Sequence, residues 1–288
     1  MGSSSTGKGM RQPVENEQMS GAGEKQGLMA GKRGLVIGVA NDHSIAWGIA
    51  RMLAQHGAAM AFTYQDEALR KRVEPLAKST GADLIMPCDV EDAATLDDAF
   101  ATLADNWGSL DFVVHAVAYS DKNELRGRYV DTTRQNFART MRISCYSFTD
   151  IARRAAPLMT DGGSLVTLTY LGSERVMPSY NVMGVAKAAL EASVRYLAND
   201  LGPRAIRVNA LSAGPMRTLA GSAIGDARYV YHYNRDHAPL RRNVQLDEVG
   251  SAALYLLSDL SRGVTGEVMH VDAGFHVIGI PNPNNGAS

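Results

Sequence analysis

From residue 33 onward, short apolar runs alternate with amphipathic stretches. Gly34-Leu35-Val36-Ile37-Gly38-Val39 is a compact apolar segment that reaches glycine at its end. Behind it, Ile45, Ile49, Met52 and Leu53 recur on one helical face, with Ser44 placed as N-cap and Gly57 as stop. The same reading predicts further strands over 59–63, 84–87, 112–117, 165–169, 207–211 and 268–271. Helices are predicted over 67–79, 93–104, 137–159, 179–201 and 247–257. Phe112 to Val117 is nearly all apolar, as a strand covered on both faces should be. Gly214 to Leu240 breaks the rhythm: Gly, Pro, Tyr and polar residues with little clean period. It reads as an insertion over the carboxyl ends of the strands, where such sheets bind ligands.

Strand–helix alternation at this spacing predicts a parallel sheet, and right-handed crossovers narrow its topology. The expected architecture is a single α/β domain over 31–288. It is a doubly wound, Rossmann-type, seven-stranded parallel sheet with helices on both faces. Residues 1–30 lack an apolar period, and Lys8, Arg11 and Lys25 balance Glu15, Glu17 and Glu24. That stretch reads as a disordered leader without the apolar core of a secretory signal.

The composition narrows the class. The 288 residues are 45% hydrophobic with a net charge of −1, which excludes wholesale disorder and disfavours an extended polyanion-binding surface. Nucleic-acid binding has no support beyond the local basic pair Arg241-Arg242, which reads as structural or solvated, so no nucleic-acid partner is expected. Cys88 and Cys145 are too few and too far apart for a disulfide framework or a CxxC motif, and no metal site is expected. No apolar run is long enough for a membrane span, and a cytoplasmic enzyme is expected.

The candidate chemistry clusters at predicted strand ends. A dinucleotide site needs a glycine for the tight turn and a helix N-terminus aimed at the pyrophosphate. Gly38 and Gly48 can fill the first and last glycine roles, with Ser44-Ile45 at the helix start in place of a central glycine. Glycine plus a capping serine also opens many helices that bind nothing. After the second strand stands Gln65, which can hydrogen-bond a ribose, and no basic residue stands directly there to favour a 2′-phosphate. Asp89-Val90 suits an adenine contact, although Asp89 alone also reads as a solvated loop acid. Tyr170 follows the fifth strand. Tyr180 and Lys187 are seven residues apart, two helical turns or about 10 Å of rise on one face. A nearby cation makes a phenol a better proton donor. By itself, that spacing also describes a solvated surface pair.

Taken together, several stretches resemble the short-chain dehydrogenase/reductase superfamily, and within it the bacterial NADH-dependent enoyl-[acyl-carrier-protein] reductases of the FabI type. They are Gly38-Val39-Ala40 with Ser44-Ile45-Ala46, Thr63-Tyr64-Gln65, Cys88-Asp89-Val90, Leu168-Thr169-Tyr170, and Tyr180 through Lys187. Arg207 through Pro215 and Val271-Asp272-Ala273-Gly274-Phe275 complete the set. Ordinary members of the superfamily place tyrosine four residues before lysine; the seven-residue step and Ser-Ile are those of the enoyl reductases. The resemblance implies that Gly38, Ser44, Ile45, Gln65, Asp89 and Val90 line the adenosine and pyrophosphate end. It places Val117 on the nicotinamide side and Lys187 on the ribose hydroxyls. Met216, Arg217, Thr218, Leu219 and Ala220 would cover the nicotinamide and its phosphate, and Ser120 would line the substrate pocket. Tyr180 would be the catalytic hydroxyl and Tyr170 its companion. The family's usual His-Ser-Ile-Gly-Phe reads His115-Ala116-Val117-Ala118-Tyr119 here, which narrows the pocket beside the nicotinamide.

The implied reaction is conjugate reduction of a trans-2-enoyl thioester in fatty acid biosynthesis, with NADH preferred to NADPH. The implied partner is acyl carrier protein, and the implied assembly a homotetramer. The insertion, with Met216, Leu219, Ile224 and Tyr229, could form a lid over an acyl slot, or those side chains could be ordinary core contacts. Met183 reads as core. Two other readings compete: a carbonyl or alcohol oxidoreductase of the same superfamily, against which the spacing argues, and a dinucleotide-binding regulator. Such regulators typically lack the tyrosine or lysine, and both are present.

Overall fold

A computed structural model describes residues 1–2, 27–222 and 225–281, excepting the side chains of Ala220 and Ser222. Seven strands form one parallel sheet in the order β3-β2-β1-β4-β5-β6-β7. They are β1 (Arg33–Ile37), β2 (Ala59–Tyr64), β3 (Ile85–Pro87), β4 (Phe112–His115), β5 (Gly163–Thr169), β6 (Ile206–Ala213) and β7 (Val268–Val271). The helices are α1 (Ile45–Gln55), α2 (Glu67–Ser79), α3 (Ala93–Trp107), α4 (Arg134–Met141), α5 (Ser147–Ala155), α6 (Asn181–Leu201), α7 (Leu219–Ser222), α8 (Ala227–His237) and α9 (Leu246–Leu257).

Strand pleating deals successive side chains to opposite faces. Val36, Phe112, Val114, Val166 and Leu211 point into a core with α1, α2 and α9. Leu35, Ile37, Val113, Leu165 and Val208 point into a second core with α3, α5 and α6. Strand order reverses between β1 and β4, leaving a crevice at their carboxyl ends.

Four details differ from the sequence reading. The helix predicted over 137–159 begins at Arg134 and is interrupted by a π-helical turn, Arg142–Tyr146. At that turn the Ser144 hydroxyl receives the Tyr119 N–H at 2.9 Å and donates to the Tyr119 carbonyl at 3.0 Å, tying the helix to the loop after β4. The helix predicted from Ser179 begins two residues later, at Asn181, because Ser179 has a left-handed backbone. The 214–240 stretch contains α8, whose tyrosines and polar residues mask its period. Residues 27–30, assigned to the leader, pack on the domain, with Met29 fully buried and its N–H on the His56 carbonyl at 2.9 Å. The rest of that leader, 3–26, lies outside the described residues.

Gly48, the last glycine of the expected loop, sits where close packing demands it. A Cβ there would sit 2.9 Å from Leu246, and one on Gly250 would sit 2.8 Å from the Gly48 carbonyl. These two glycines let α1 and α9 approach backbone to backbone.

Candidate active site

The crevice opens into a cavity of about 790 Å³ at the carboxyl ends of the strands. Its walls include Gly38, Ser44, Ile45, Gln65, Asp89, Val90, Val117, Ser120, Tyr170, Tyr180, Lys187, Met216, Thr218 and Leu219. Fourteen residues separated by up to 181 positions in sequence thus meet at one site.

One end is built for a phosphate chain. Gly38 has φ +104°, and a Cβ would lie 2.2 Å from the Ala116 carbonyl oxygen. Only glycine fits there. Ser44 stands at the N-cap position, but its hydroxyl closes the loop instead of capping the helix. It accepts the N–H groups of Ala40 and Asn41, each at 3.0 Å. Among the described residues, no acceptor meets the Ile45 and Ala46 N–H groups of the first turn. Free amides at the positive end of a helix suit an anionic group. At the far side, the Gln65 amide donates to Asp89 at 3.1 Å, joining the two residues expected around the adenosine. Arg70, the nearest cation after β2, lies over the Tyr64 ring and pairs with Glu74 at 3.2 Å.

The other end is organised by β5 and α6. Lys187 is buried, and its ammonium donates to the Leu168 carbonyl at 2.7 Å. One turn on, the buried Glu191 carboxylate accepts the Thr169 and Ser173 hydroxyls. Two side chains of one helix therefore grip the strand end that leads into Tyr170. The Tyr170 ring meets Tyr180 edge-on, with centroids 5.1 Å apart. A Cβ on Gly172 would lie 2.3 Å from the Tyr180 ring, and one on Gly184 2.6 Å from the Gly172 carbonyl. This glycine pair makes the seat of the Tyr180 ring. No buried side-chain polar atom among the described residues lacks a partner, and none bonds the Tyr180 hydroxyl. That hydroxyl therefore opens into the cavity.

Burial sets the protonation states. It pushes both tyrosines well above the usual phenol range, with the neighbouring ring and Glu191 adding to the effect at Tyr180, and Asp272 at Tyr170. Burial lowers Lys187 to about 8, against the opposing pull of Cys145 and Glu191. At neutral pH the site presents neutral phenols and a predominantly charged ammonium. Such a phenol is a hydrogen-bond donor, not a base. Neither Tyr180 nor Lys187 is a solvated surface residue; both are 6% exposed.

One expected contact falls outside the cavity wall. Arg217 turns its guanidinium onto the Tyr231 ring at 4.9 Å, a cation–π contact within its own segment. Ala220's side chain lies outside the described ones. Arg241 and Arg242 serve the fold: Arg241 donates to the Asp236 carbonyl at 3.1 Å and Arg242 pairs with Glu248 at 2.6 Å. Sequence reasoning missed Tyr119, Met177 and Val230, which also line the cavity, and Glu191 and Gly172, which shape it. Gly172, two residues after a strand-end tyrosine, carried a usable signal. The others depend on contacts between distant elements.

The family model for enoyl-(acyl carrier protein) reductase matches residues 38–276. The chain belongs to that family. An enoyl-[acyl-carrier-protein] reductase [NADH] of Rhizobium meliloti (strain 1021) is 64% identical over 255 residues, covering 88% of this chain and 95% of that protein. The crystal structure of the Anaplasma phagocytophilum reductase in complex with NAD superposes with a TM-score of 0.86 at 63% identity, covering 89% of this chain and 98% of that one. The Bacillus cereus reductase, with NADP+ and an indole naphthyridinone, gives 0.86 at 49% identity over 88% of this chain and all of that one.

Proposed function

We infer that this chain is an NADH-dependent enoyl-[acyl-carrier-protein] reductase of fatty acid synthesis, and we propose the following roles for its residues. The observation that carries the reading is the convergence of Tyr180, Lys187 and the Gly38 loop on one cavity. The residues present fit a dinucleotide: a glycine whose Cβ would fill the cradle, two free helix-terminal amides, and the Gln65–Asp89 pair at the adenosine end. Ser44, Ile45, Val90, Val117, Met216, Thr218 and Leu219 would complete that surface. When bound, NADH supplies a hydride to the β-carbon of a trans-2-enoyl thioester.

The chain's own part is orientation and field. As charge moves onto the thioester oxygen, the neutral Tyr180 hydroxyl donates a hydrogen bond to it, an interaction typically worth about 3 kcal/mol in the transition state. Lys187 binds the ribose hydroxyls and adds positive potential. Tyr170 backs Tyr180 with its ring, and Ser120, held by Thr140 at 2.9 Å, forms part of the acyl wall. The α7–α8 stretch supplies Leu219, Ala227 and Val230 as the lid of an apolar slot. NADH is favoured over NADPH because a carboxylate, not a free cation, neighbours Gln65.

The substrate arrives on acyl carrier protein. We place the enzyme in the cytoplasm; no described helix is long and apolar enough to cross a membrane. We assign it a homotetramer. An exposed α6 stripe of Val185, Ala188 and Tyr196, beside exposed Tyr146, supports helix-to-helix assembly. The test is NADH and NADPH oxidation with crotonyl thioesters and with ketones, for the parent chain and Tyr180→Phe. Thioester-specific oxidation of NADH, slowed at least ~10²-fold in Tyr180→Phe without loss of NADH affinity, is expected. Turnover of ketones, or undiminished turnover in that variant, would refute the assignment.

A further inference from the structure

Tyr180 stands between two residues in the left-handed region, Ser179 at φ +52° and Asn181 at φ +38°. Neither is glycine. Such a backbone persists only where the surroundings over-determine it. Two contacts do so here. The Asn181 carboxamide nitrogen reaches the carbonyls of Leu125 at 3.0 Å, Gly127 at 3.3 Å and Glu124 at 3.4 Å. On the other flank, the Ser179 hydroxyl donates to Asp226 at 2.5 Å, just before α8. Leu125 is itself buried, packs in one cluster with Tyr180, Val182 and Met183, and lines the cavity.

We propose that Asn181 is a positioning residue for the reduction: its carboxamide ties the tyrosine-bearing turn to the 124–127 loop, whose Leu125 lines the cavity, and so fixes where the Tyr180 hydroxyl meets the substrate. Asparagine is suited to this task on two counts. It tolerates the left-handed backbone better than other side-chain-bearing residues, and its NH2 group offers two donors to the surrounding carbonyls. The dinucleotide loop lies at the opposite end of the cavity and shares none of these bonds. The clamp therefore acts on the acyl side and leaves NADH binding alone. The proposal rests on the role given to Tyr180 above.

Asn181→Gly keeps a permitted backbone and removes the clamp. Asn181→Asp keeps shape but turns acceptors toward three carbonyls. Steady-state kinetics with crotonyl thioester and NADH binding by fluorescence are measured for both, with Tyr180→Phe alongside. We expect kcat to fall ~10-fold in Asn181→Gly and ~10²-fold in Asn181→Asp, the scale of a misplacement of about 1 Å, with the thioester KM raised and NADH affinity within about twofold of the parent. Parental kcat in Asn181→Gly while Tyr180→Phe is slow overturns the clamp alone. Parental kcat in Tyr180→Phe overturns the role of Tyr180 and the clamp with it. Failure of Asn181→Gly to fold, or equal losses of NADH and thioester binding, would mean that the carboxamide holds the domain and not the tyrosine.

Discussion

Gly172→Ala is a small change aimed at the seat of Tyr180. Its Cβ would fall 2.3 Å, 2.6 Å and 3.2 Å from three carbons of the Tyr180 ring. Gly172 does not have the left-handed φ that would penalise alanine on its own, so the effect is steric. Restoring ordinary contact at about 3.4 Å requires the ring edge to retreat by about 1 Å. It cannot do so freely, because Tyr170 packs edge-on against it and Leu125, Val182 and Met183 enclose it. Overpacking of this kind costs about 1–3 kcal/mol of stability. For a domain of this size, that is a fall in Tm of roughly 2–10 °C. A displacement of about 1 Å in a group that must meet the developing charge costs about 10²-fold in turnover, or about 2.7 kcal/mol. NADH affinity should hold, since the hydrogen bonds that order the Gly38 loop and Lys187 run to Ser44 and to the Leu168 carbonyl and involve neither Gly172 nor Tyr180. The assay is NADH oxidation with crotonyl thioester, NADH binding by fluorescence, and thermal unfolding. Full turnover in a folded Gly172→Ala protein would show that the ring seat does not set the position of the hydroxyl.

Other outcomes follow from the same geometry. Gly38→Ala meets both a 2.2 Å clash with the Ala116 carbonyl and a left-handed backbone, so NADH affinity measured by fluorescence should drop at least tenfold before any loss of the thioester site. Lys187→Met should lose NADH affinity yet raise Tm at neutral pH. Burial holds the folded pKa near about 8, below the ordinary 10.5, so the associated stability is present above the unfolded pKa and lost as pH falls through the folded one. The gain in Lys187→Met should accordingly disappear in alkali. His115 is buried between Thr167 and Ser147, and burial, helped by Lys187, lowers it to about 3 from 6.5. Because Ser147 donates to the Ile143 carbonyl, His115 donates through Nε2 and stays neutral. Its stability contribution is complete above pH 6.5 and is lost as pH falls toward about 3, so the free energy of urea unfolding should fall more steeply with falling pH in that window for the parent than for His115→Gln.

How much of this protein was legible before its fold follows from the range of the forces involved. Period-two and period-3.6 patterns mark which face of an element is dry, so all seven strands and the doubly wound order could be read from runs such as Leu35-Val36-Ile37 and Phe112-Val113-Val114. The strand-end placement of Tyr170 and the loop position of Gly38 were equally local. The seven-residue step of Tyr180 and Lys187 was readable, but its cause was not: a straight helix would carry both, whereas Tyr180 precedes α6 on a turn with left-handed flanks. The π-helical turn at Arg142–Tyr146, the packing role of Gly48, the inward-turned Ser44 hydroxyl and the diversion of Arg217 onto Tyr231 each depend on a partner the local pattern does not name. Residue spacing along one chain encodes faces, which solvent alone selects. Close approach, shared hydrogen bonds and the protonation of a buried lysine arise only when distant segments exclude water from one another, and so they belonged to the tertiary structure.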